Sequence, residues 1–101
     1  MEVHYYNQKI ISFIESLGDK RRSDVYKTVN VLKEFGYEVE LPYSRSLGQG
    51  LFELRSVNSG VRLLYIFYQN NALVLHAFIK KQNKISKKEL DLARKRQNTL
   101  R

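Results

Sequence analysis

The sequence predicts an α+β domain with the element order β-α-α-β-β-β-α. Residues 51–81 read as three consecutive strands, because runs of Val, Ile, Leu, Phe and Tyr alternate with short polar turns. Residues 7–35 carry two apolar stripes at helical spacing, and a helix-capping sequence stands near the C-terminus. We therefore expect one domain over residues 1–101. Its small, mostly antiparallel, twisted sheet should carry an N-terminal helical hairpin on one face, with a basic helix at the C-terminus.

Residues 3–36 are predicted to form a short strand followed by two helices. The strand candidate is Val3 to Tyr6. The first helix runs from Asn7 to Leu17, since its apolar residues recur at positions i, i+3, i+4 and i+7. Asp19 is the predicted N-cap of the second helix, which runs to about Phe35 and ends at Gly36. The two helices should form an antiparallel hairpin whose apolar stripes belong to the core.

Residues 37–50 are predicted to turn without regular structure. Pro42 is incompatible with a helix interior, and Gly48-Gln49-Gly50 makes a flexible connection that leads into the sheet. The glycine pair is not a phosphate-binding loop, since it lacks a third glycine and a strand–loop–helix context.

The three core strands are predicted at Leu51–Val57, Val61–Gln69 and Ala72–Lys80. If Asn70-Asn71 is a two-residue hairpin loop, Tyr65 pairs with His76. One face of this hairpin is then fully apolar and should lie under helices; it carries Leu64, Ile66, Leu75, Ala77 and Ile79. The other face is aromatic with a basic end and is predicted to receive RNA; it carries Leu63, Tyr65, Phe67, His76, Phe78 and Lys80.

The last helix is predicted from a capping box, in which Ser86 is the N-cap and Glu89 is the third helical residue. The helix runs to about Arg96, and residues 98–101 are expected to fray. Its inner side carries Leu90, Ala93 and Gln97.

The positive charge is concentrated at the C-terminus. The chain has a net charge of +8, and residues 80–101 hold nine Lys or Arg against Glu89 and Asp91. A clustered basic surface favours polyanions through counterion release at phosphates. The same surface also fits a solubilising helix face or an acidic protein partner.

The composition excludes several classes of site. There is no cysteine, which rules out disulfides and cysteine-based metal sites, and two isolated histidines do not make a metal site, so no cofactor is expected. No apolar run approaches the roughly 20 residues that span a bilayer, and the first residues lack the apolar segment of a signal peptide. We expect a cytoplasmic protein.

Three runs of the sequence resemble one known family. They are Leu47-Gly48-Gln49-Gly50-Leu51-Phe52-Glu53-Leu54-Arg55, Gly60-Val61-Arg62-Leu63-Leu64-Tyr65 and His76-Ala77-Phe78-Ile79-Lys80-Lys81. Together they resemble the RelE/ParE toxin superfamily, and most of all its phage-derived HigB-like branch. The resemblance implies the toxin of a type II toxin–antitoxin system. It further implies a metal-independent mRNA endonuclease (mRNA interferase) acting in the A site of the 70S ribosome, neutralised by an antitoxin that is often a helix-turn-helix DNA-binding protein.

The resemblance also implies roles for particular residues. Arg62 corresponds to the arginine that would clamp the phosphate in the transition state, and Arg55 to a second phosphate ligand. Lys81 would hold phosphate or donate a proton, and Glu53 is a candidate base for the 2′-hydroxyl group. The residues expected to bind RNA are Arg45, Lys80, Lys84, Lys87 and Lys88, and His76 and Tyr65 are further candidates.

Two departures from the family pattern leave the general acid and base open. Relatives often carry a basic residue where Glu53 stands, and often a tyrosine near the position of Lys87, whereas this chain has no tyrosine after Tyr68. Glu53 and Arg55 also fit a surface ion pair, His76 a packed histidine, and Tyr65 a core residue. In the predicted register Arg62 lies on the face opposite His76, which a bulge at residues 58–60 or a site at the strand ends would reconcile.

Two other functions remain open on sequence grounds. The first is a non-catalytic toxin of the same fold that inhibits gyrase, and the second is an inactive phage regulator that only binds its partner. The Glu-Leu-Arg and Lys-Lys runs favour the nuclease, and the missing C-terminal tyrosine favours the gyrase-inhibiting toxin.

Overall fold

A computed structural model describes residues 1–56 and 58–100. The strands are β1 (Val3–Tyr5), β2 (Ser44–Gly48), β3 (Leu51–Arg55), β4 (Val61–Tyr68) and β5 (Asn71–Ile79). The helices are α1 (Gln8–Glu15), α2 (Asp19–Phe35) and α3 (Lys87–Asn98), with one 3₁₀ turn at Gly36–Glu38. The strands form one sheet in the order β1-β5-β4-β3-β2, and among the described residues only the β1–β5 pair is parallel. This arrangement confirms the predicted α+β fold.

One strand was absent from the prediction. β2 pairs with β3 where the sequence indicated an irregular turn. Its residues Ser-Arg-Ser-Leu-Gly are mostly exposed and show no apolar alternation, because an edge strand packs against a neighbour on one side only. The predicted first core strand also ended at Val57, which lies outside the described residues; β3 ends at Arg55.

The helical hairpin forms as predicted, with small differences at its caps. The Asn7 side chain caps α1 by accepting a hydrogen bond from the Ile10 backbone N–H at 3.1 Å. The predicted N-cap role of Asp19 is wrong, since Gly18 occupies that position and Asp19 is the first helical residue. Gly36 ends α2 with φ of +56°, a conformation that favours glycine.

The sheet separates two apolar clusters. α1 and α2 pack on one face over residues that include Leu54, Leu63 and Val74. α3 packs on the other face over Leu51, Leu64, Ile66, Leu75 and Phe78, with its own Ala93 buried. In the described part of the chain, no helix has both the length and the apolarity needed to cross a bilayer.

The register of the β4–β5 hairpin differs from the prediction. The loop is Gln69-Asn70, whose φ angles are +53° and +68°, so Tyr68 pairs with Asn71 and Tyr65 with Val74. Leu64 pairs with His76, which leaves Leu75 as an extra residue in β5. This β-bulge reverses the side-chain alternation from His76 onward.

The bulge brings His76, Phe78 and Lys80 to the face that carries Arg62. Arg62 pairs with Phe78, and the Lys80 backbone N–H continues the register by donating to the Gly60 carbonyl at 2.9 Å. Ala77 and Ile79 therefore pack in the core beneath α1 and α2, whereas Leu64, Ile66 and Leu75 lie on the α3 face. The prediction that all five share one apolar face is wrong for Ala77 and Ile79. In the predicted register Arg62 and His76 lay on opposite faces. A bulge inside β5, and not one at residues 58–60, places them on the same face.

The predicted aromatic platform for RNA is wrong. Tyr65 is 1% exposed, stacks on Phe52 at 5.5 Å and packs edge-on against Phe67 at 5.5 Å, within the core beneath α1 and α2. Its hydroxyl group shares a hydrogen bond of 2.7 Å with Ser44. Tyr65 therefore lies in the interior, with Phe52 and Phe67 partly buried against it, and its ring offers no stacking surface.

α3 is fastened across its face of the sheet. Ser86 caps its N-terminus as predicted, accepting a hydrogen bond from the Glu89 N–H. The Arg94 guanidinium group donates to the carbonyls of Leu47 at 2.8 Å and Gly48 at 3.0 Å. The expected fraying does not extend to Leu100, which packs against the α3-side cluster; Arg101 lies outside the described residues.

Candidate functional site

Five charged residues meet on the α3 face, at one end of the central strands. Arg45 lies on β2, Glu53 and Arg55 on β3, and Arg62 on β4, while Lys80 follows β5. Arg45 pairs with Glu53 and Arg55 with Arg62, so strand alternation places their side chains on one face. We call Arg45, Glu53, Arg55, Arg62 and Lys80 the basic cluster.

Glu53 lies at the centre of the basic cluster. Its side chain is 0% exposed, which is unusual for a carboxylate. The Arg45 Nε donates to Glu53 Oε1 at 2.7 Å, and the Arg62 Nε lies 3.6 Å from Oε2. The second distance is too long for a hydrogen bond and leaves an ion pair.

The cluster has more donors than its own acceptors satisfy. The Nε atoms of Arg55 and Arg62 are buried without a hydrogen-bond acceptor among the described residues, and Glu53 Oε2 has no donor. Arg62, whose side chain is 11% exposed, donates from Nη1 to the Val61 carbonyl at 3.1 Å. Four cations stand around one carboxylate, so the cluster can accept an anion such as a phosphate.

Two pKa values in the cluster are shifted by this environment. Burial lowers the pKa of Arg62, and Arg55 and Arg45 lower it further, while Glu53 opposes both effects. Burial also lowers the pKa of Lys80; Glu53 opposes this shift, and Arg62, Arg45 and Arg55 add to it. Lys80 is therefore a better proton donor than an ordinary lysine.

A groove of about 450 Å³ runs beside the end of β5. His76 lies there with its Nε2 3.0 Å from Glu89 Oε2, and its ring stacks on Phe78 at 5.5 Å. The His76 side chain is 15% exposed. The groove is also lined by Phe13, Lys80, Lys81, Lys84 and Ser86. Lys80 thus borders both the groove and the basic cluster.

The residues that the sequence singled out fall into four groups. Arg45, Glu53, Arg55, Arg62 and Lys80 meet in the basic cluster. Lys81, Lys84 and His76 line the groove, and Lys87 and Lys88 are exposed on the first turn of α3. Tyr65 lies apart from all of them, in the core on the opposite face.

Sequence reasoning missed the second role of Glu89. The capping box explains Glu89 by itself, and no other feature of the sequence indicates a contact of its side chain. Its contact with His76 depends on where α3 docks and on the bulge in β5, and neither leaves a mark in the local sequence.

The fold and the sequence both have relatives among known proteins. The crystal structure of the isolated E. coli RelE toxin superposes with a TM-score of 0.63, covering 92% of this chain and 95% of that chain at 14% identity. The fold that the resemblance to the RelE/ParE superfamily implies is therefore confirmed. Residues 12–98 match the family described as phage-derived protein Gp49-like (DUF891), so the chain belongs to that family. No curated protein matches the chain.

Proposed function

We propose that this protein is the toxin of a type II toxin–antitoxin system and that it cleaves mRNA in the ribosomal A site without a metal ion. The observation that carries the proposal is the basic cluster, in which four cations surround one buried carboxylate. The excess of cations over carboxylates favours an anionic ligand, and a phosphate can accept charge-assisted hydrogen bonds from the guanidinium groups. The RelE-type fold and the Gp49-like family support the same proposal.

The reaction breaks one phosphodiester bond by transfer within the RNA. The ribose 2′-oxygen attacks the adjacent phosphorus, the bond from phosphorus to the 5′-oxygen breaks, and a 2′,3′-cyclic phosphate and a 5′-hydroxyl end result. One proton leaves the 2′-hydroxyl group and one reaches the departing 5′-oxygen. Arg62 and Arg55 bind the phosphate oxygens, whose negative charge rises in the transition state.

Lys80 and His76 are our candidates for proton transfer. Lys80 lies in the basic cluster and has a lowered pKa, whereas Lys81 lines only the groove. His76 lies two residues along β5 from Phe78, the partner of Arg62, which is a diagonal separation of about 7–8 Å. Glu89 orients its imidazole, as a carboxylate does for a histidine base in other enzymes. Lys80 would protonate the 5′-oxygen and His76 would accept the 2′-hydroxyl proton.

The lysines outside the cluster fit the remaining partners. Lys81, Lys84, Lys87 and Lys88 are exposed between the end of β5 and the first turn of α3. This surface would hold the flanking mRNA on the 70S ribosome. A cognate antitoxin, expected to be a helix-turn-helix DNA-binding protein, would neutralise the toxin.

Expression of the chain in a bacterium, followed by mapping of mRNA 5′ ends, tests the proposal. We expect in-frame cuts within translated messages. Arg62→Ala should reduce cleavage by a factor on the order of 10²–10³, because it removes a donor to the transition-state charge. Arg21→Ala, at an exposed position of α2, is the matched control and should cleave like the parent.

Two outcomes would overturn the proposal. Intact messages accompanied by DNA-damage signals would favour the gyrase-inhibiting alternative. Undiminished cleavage by the Arg62→Ala variant would remove the basic cluster from the mechanism.

A further inference from the structure

We propose that Glu53 is a positioning residue, which fixes the Arg62 and Arg45 guanidinium groups around the scissile phosphate and does not itself accept a proton from RNA. The inference rests on the proposed function for the identity of the ligand. The position of the arginines is a separate property, which can be measured without RNA.

Burial excludes Glu53 from direct contact with a 2′-hydroxyl group. Its side chain has no exposed surface, and a general base must come within hydrogen-bond distance of the proton that it removes. One of its oxygens already accepts the Arg45 Nε–H at 2.7 Å, and the other faces the Arg62 Nε. RNA bound at the surface of the cluster would meet the guanidinium groups first.

The sheet places Glu53 between the two arginines that it orients. Arg45 comes from edge strand β2, Glu53 from β3 and Arg62 from central strand β4. Each carboxylate oxygen serves one guanidinium group. Arg62 is thus held at two points, by Glu53 through Nε and by the Val61 carbonyl through Nη1. Two fixed points define the plane of a guanidinium group and the directions of its remaining N–H donors.

Glu53 also reduces the electrostatic repulsion among the arginines of the basic cluster. Arg45, Arg55 and Arg62 would repel one another across neighbouring strands, and like charges placed opposite each other destabilise a sheet. A single buried carboxylate offsets one of these charges and leaves the others for an anion. Glu53 therefore favours cleavage by orienting the arginines, and its negative charge weakens the attraction of phosphate. These two effects can be separated experimentally.

Glu53→Gln separates them, since glutamine keeps the shape and loses the charge. We expect kcat for RNA cleavage to fall by roughly 10²-fold because Arg62 loses its orientation. Binding of a non-cleavable RNA with a 2′-O-methyl group at the scissile position should be unchanged or tighter, because the cluster gains one net positive charge. The pH–rate profile should keep its shape. Loss of its acidic limb would make Glu53 the general base, and a parallel loss of RNA binding would make it a merely structural residue; either result overturns the inference.

A second measurement does not depend on RNA cleavage. In ¹⁵N NMR spectra the Arg45 and Arg62 Nε–H signals should shift in the Glu53→Gln variant and exchange faster with solvent. Glu34→Gln, an exposed substitution on α2, should leave them unchanged. Unaltered Arg62 signals would refute the positioning role even if the protein cleaves RNA. If the parent protein fails to cleave RNA while these signals respond, the proposed function fails and the positioning role stands.

Discussion

At the residue scale, Arg62 and Tyr65 show how burial assigns roles that residue type leaves open. They stand three positions apart on β4 and therefore point to opposite faces. Arg62 lies among charged side chains, and Tyr65 lies in the aromatic core beneath the helical hairpin. The sequence identified both as candidates for RNA contact, and the sheet separates them.

The Tyr65→Phe variant tests this separation. Burial raises the pKa of Tyr65, and its hydroxyl group bonds only to Ser44 within the described structure, at 2.7 Å. Removing the hydroxyl leaves the Ser44 oxygen buried without that partner, so we expect a loss of about 1 kcal/mol in the free energy of unfolding. Urea denaturation measures this loss. RNA cleavage at a temperature where both proteins are folded should be unchanged. A selective loss of cleavage would mean that Tyr65 takes part in the reaction.

The residues of the basic cluster were largely predictable, and their roles were not. The Glu-Leu-Arg and Gly-x-Arg-Leu runs pointed to Glu53, Arg55 and Arg62 because the motif resembles a known family. That Glu53 is fully buried depends on β2, which supplies Arg45 from the edge of the sheet. A strand without apolar alternation gives no sequence signal, so the pairing of Arg45 with Glu53 could not be predicted.

At the element scale, the helical hairpin was predictable because its signals are local. Apolar spacing and two glycines are properties of short windows, and they define α1 and α2 to within a few residues. The strand register depends instead on contacts between distant positions. The sequence favoured Asn70-Asn71 as the loop on turn propensity alone, whereas the structure places Gln69 and Asn70 there. The bulge at Leu75 lies in a run in which Leu73, Val74 and Leu75 are all apolar, so neither alternation was excluded.

A hydrogen bond across the hairpin gives a pH-dependent prediction. The Tyr26 hydroxyl group on α2 donates to Glu15 Oε1 on α1 at 2.8 Å. Burial, followed by this hydrogen bond and the Glu15 charge, raises the pKa of Tyr26 to about 12. The neutral tyrosine is therefore favoured in the folded state. Its contribution to stability is fully present below pH 10 and is lost as the pH rises towards 12.

The Tyr26→Phe variant isolates this contribution because phenylalanine does not titrate. Near pH 8 the variant should be less stable than the parent by about 1 kcal/mol, the size of one partly exposed hydrogen bond. The difference should shrink between pH 10 and pH 12, which thermal unfolding of both proteins across this range would show. A difference that stays constant to pH 12 would mean that Tyr26 does not hold its proton through Glu15.

At the scale of the whole molecule, positive charge comes from two sources that the sequence presented as one. Residues 80–101, with nine Lys or Arg, account for most of the net charge of +8. The basic cluster draws its arginines from β2, β3 and β4, within residues 1–79, whose net charge is only +1. In the folded chain, Lys80 borders both the cluster and the groove, so the two sources meet at one place.

The two sources should affect RNA differently. The exposed lysines Lys87 and Lys88 would contact flanking phosphates, whereas the cluster would contact the scissile one. Each phosphate contact on single-stranded RNA contributes about −0.7 to the slope of log K against log salt concentration. The double substitution Lys87→Gln and Lys88→Gln should therefore make this slope less steep by about 1.4 and weaken binding at low salt. The single-turnover cleavage rate at saturating RNA should not change, because the transition state gains nothing from contacts made equally in the ground state.

Binding of a short 2′-O-methyl RNA across a salt series, paired with single-turnover cleavage, checks both parts of this prediction. The matched control is Lys9→Gln with Lys20→Gln, which removes the same charge from exposed positions of α1 and α2. If the control reduces the salt slope equally, binding follows net charge and not the α3 surface. If instead the Lys87 and Lys88 substitutions lower the saturated cleavage rate, the first turn of α3 contacts the reacting phosphate, and the division between a flanking and a scissile surface is wrong.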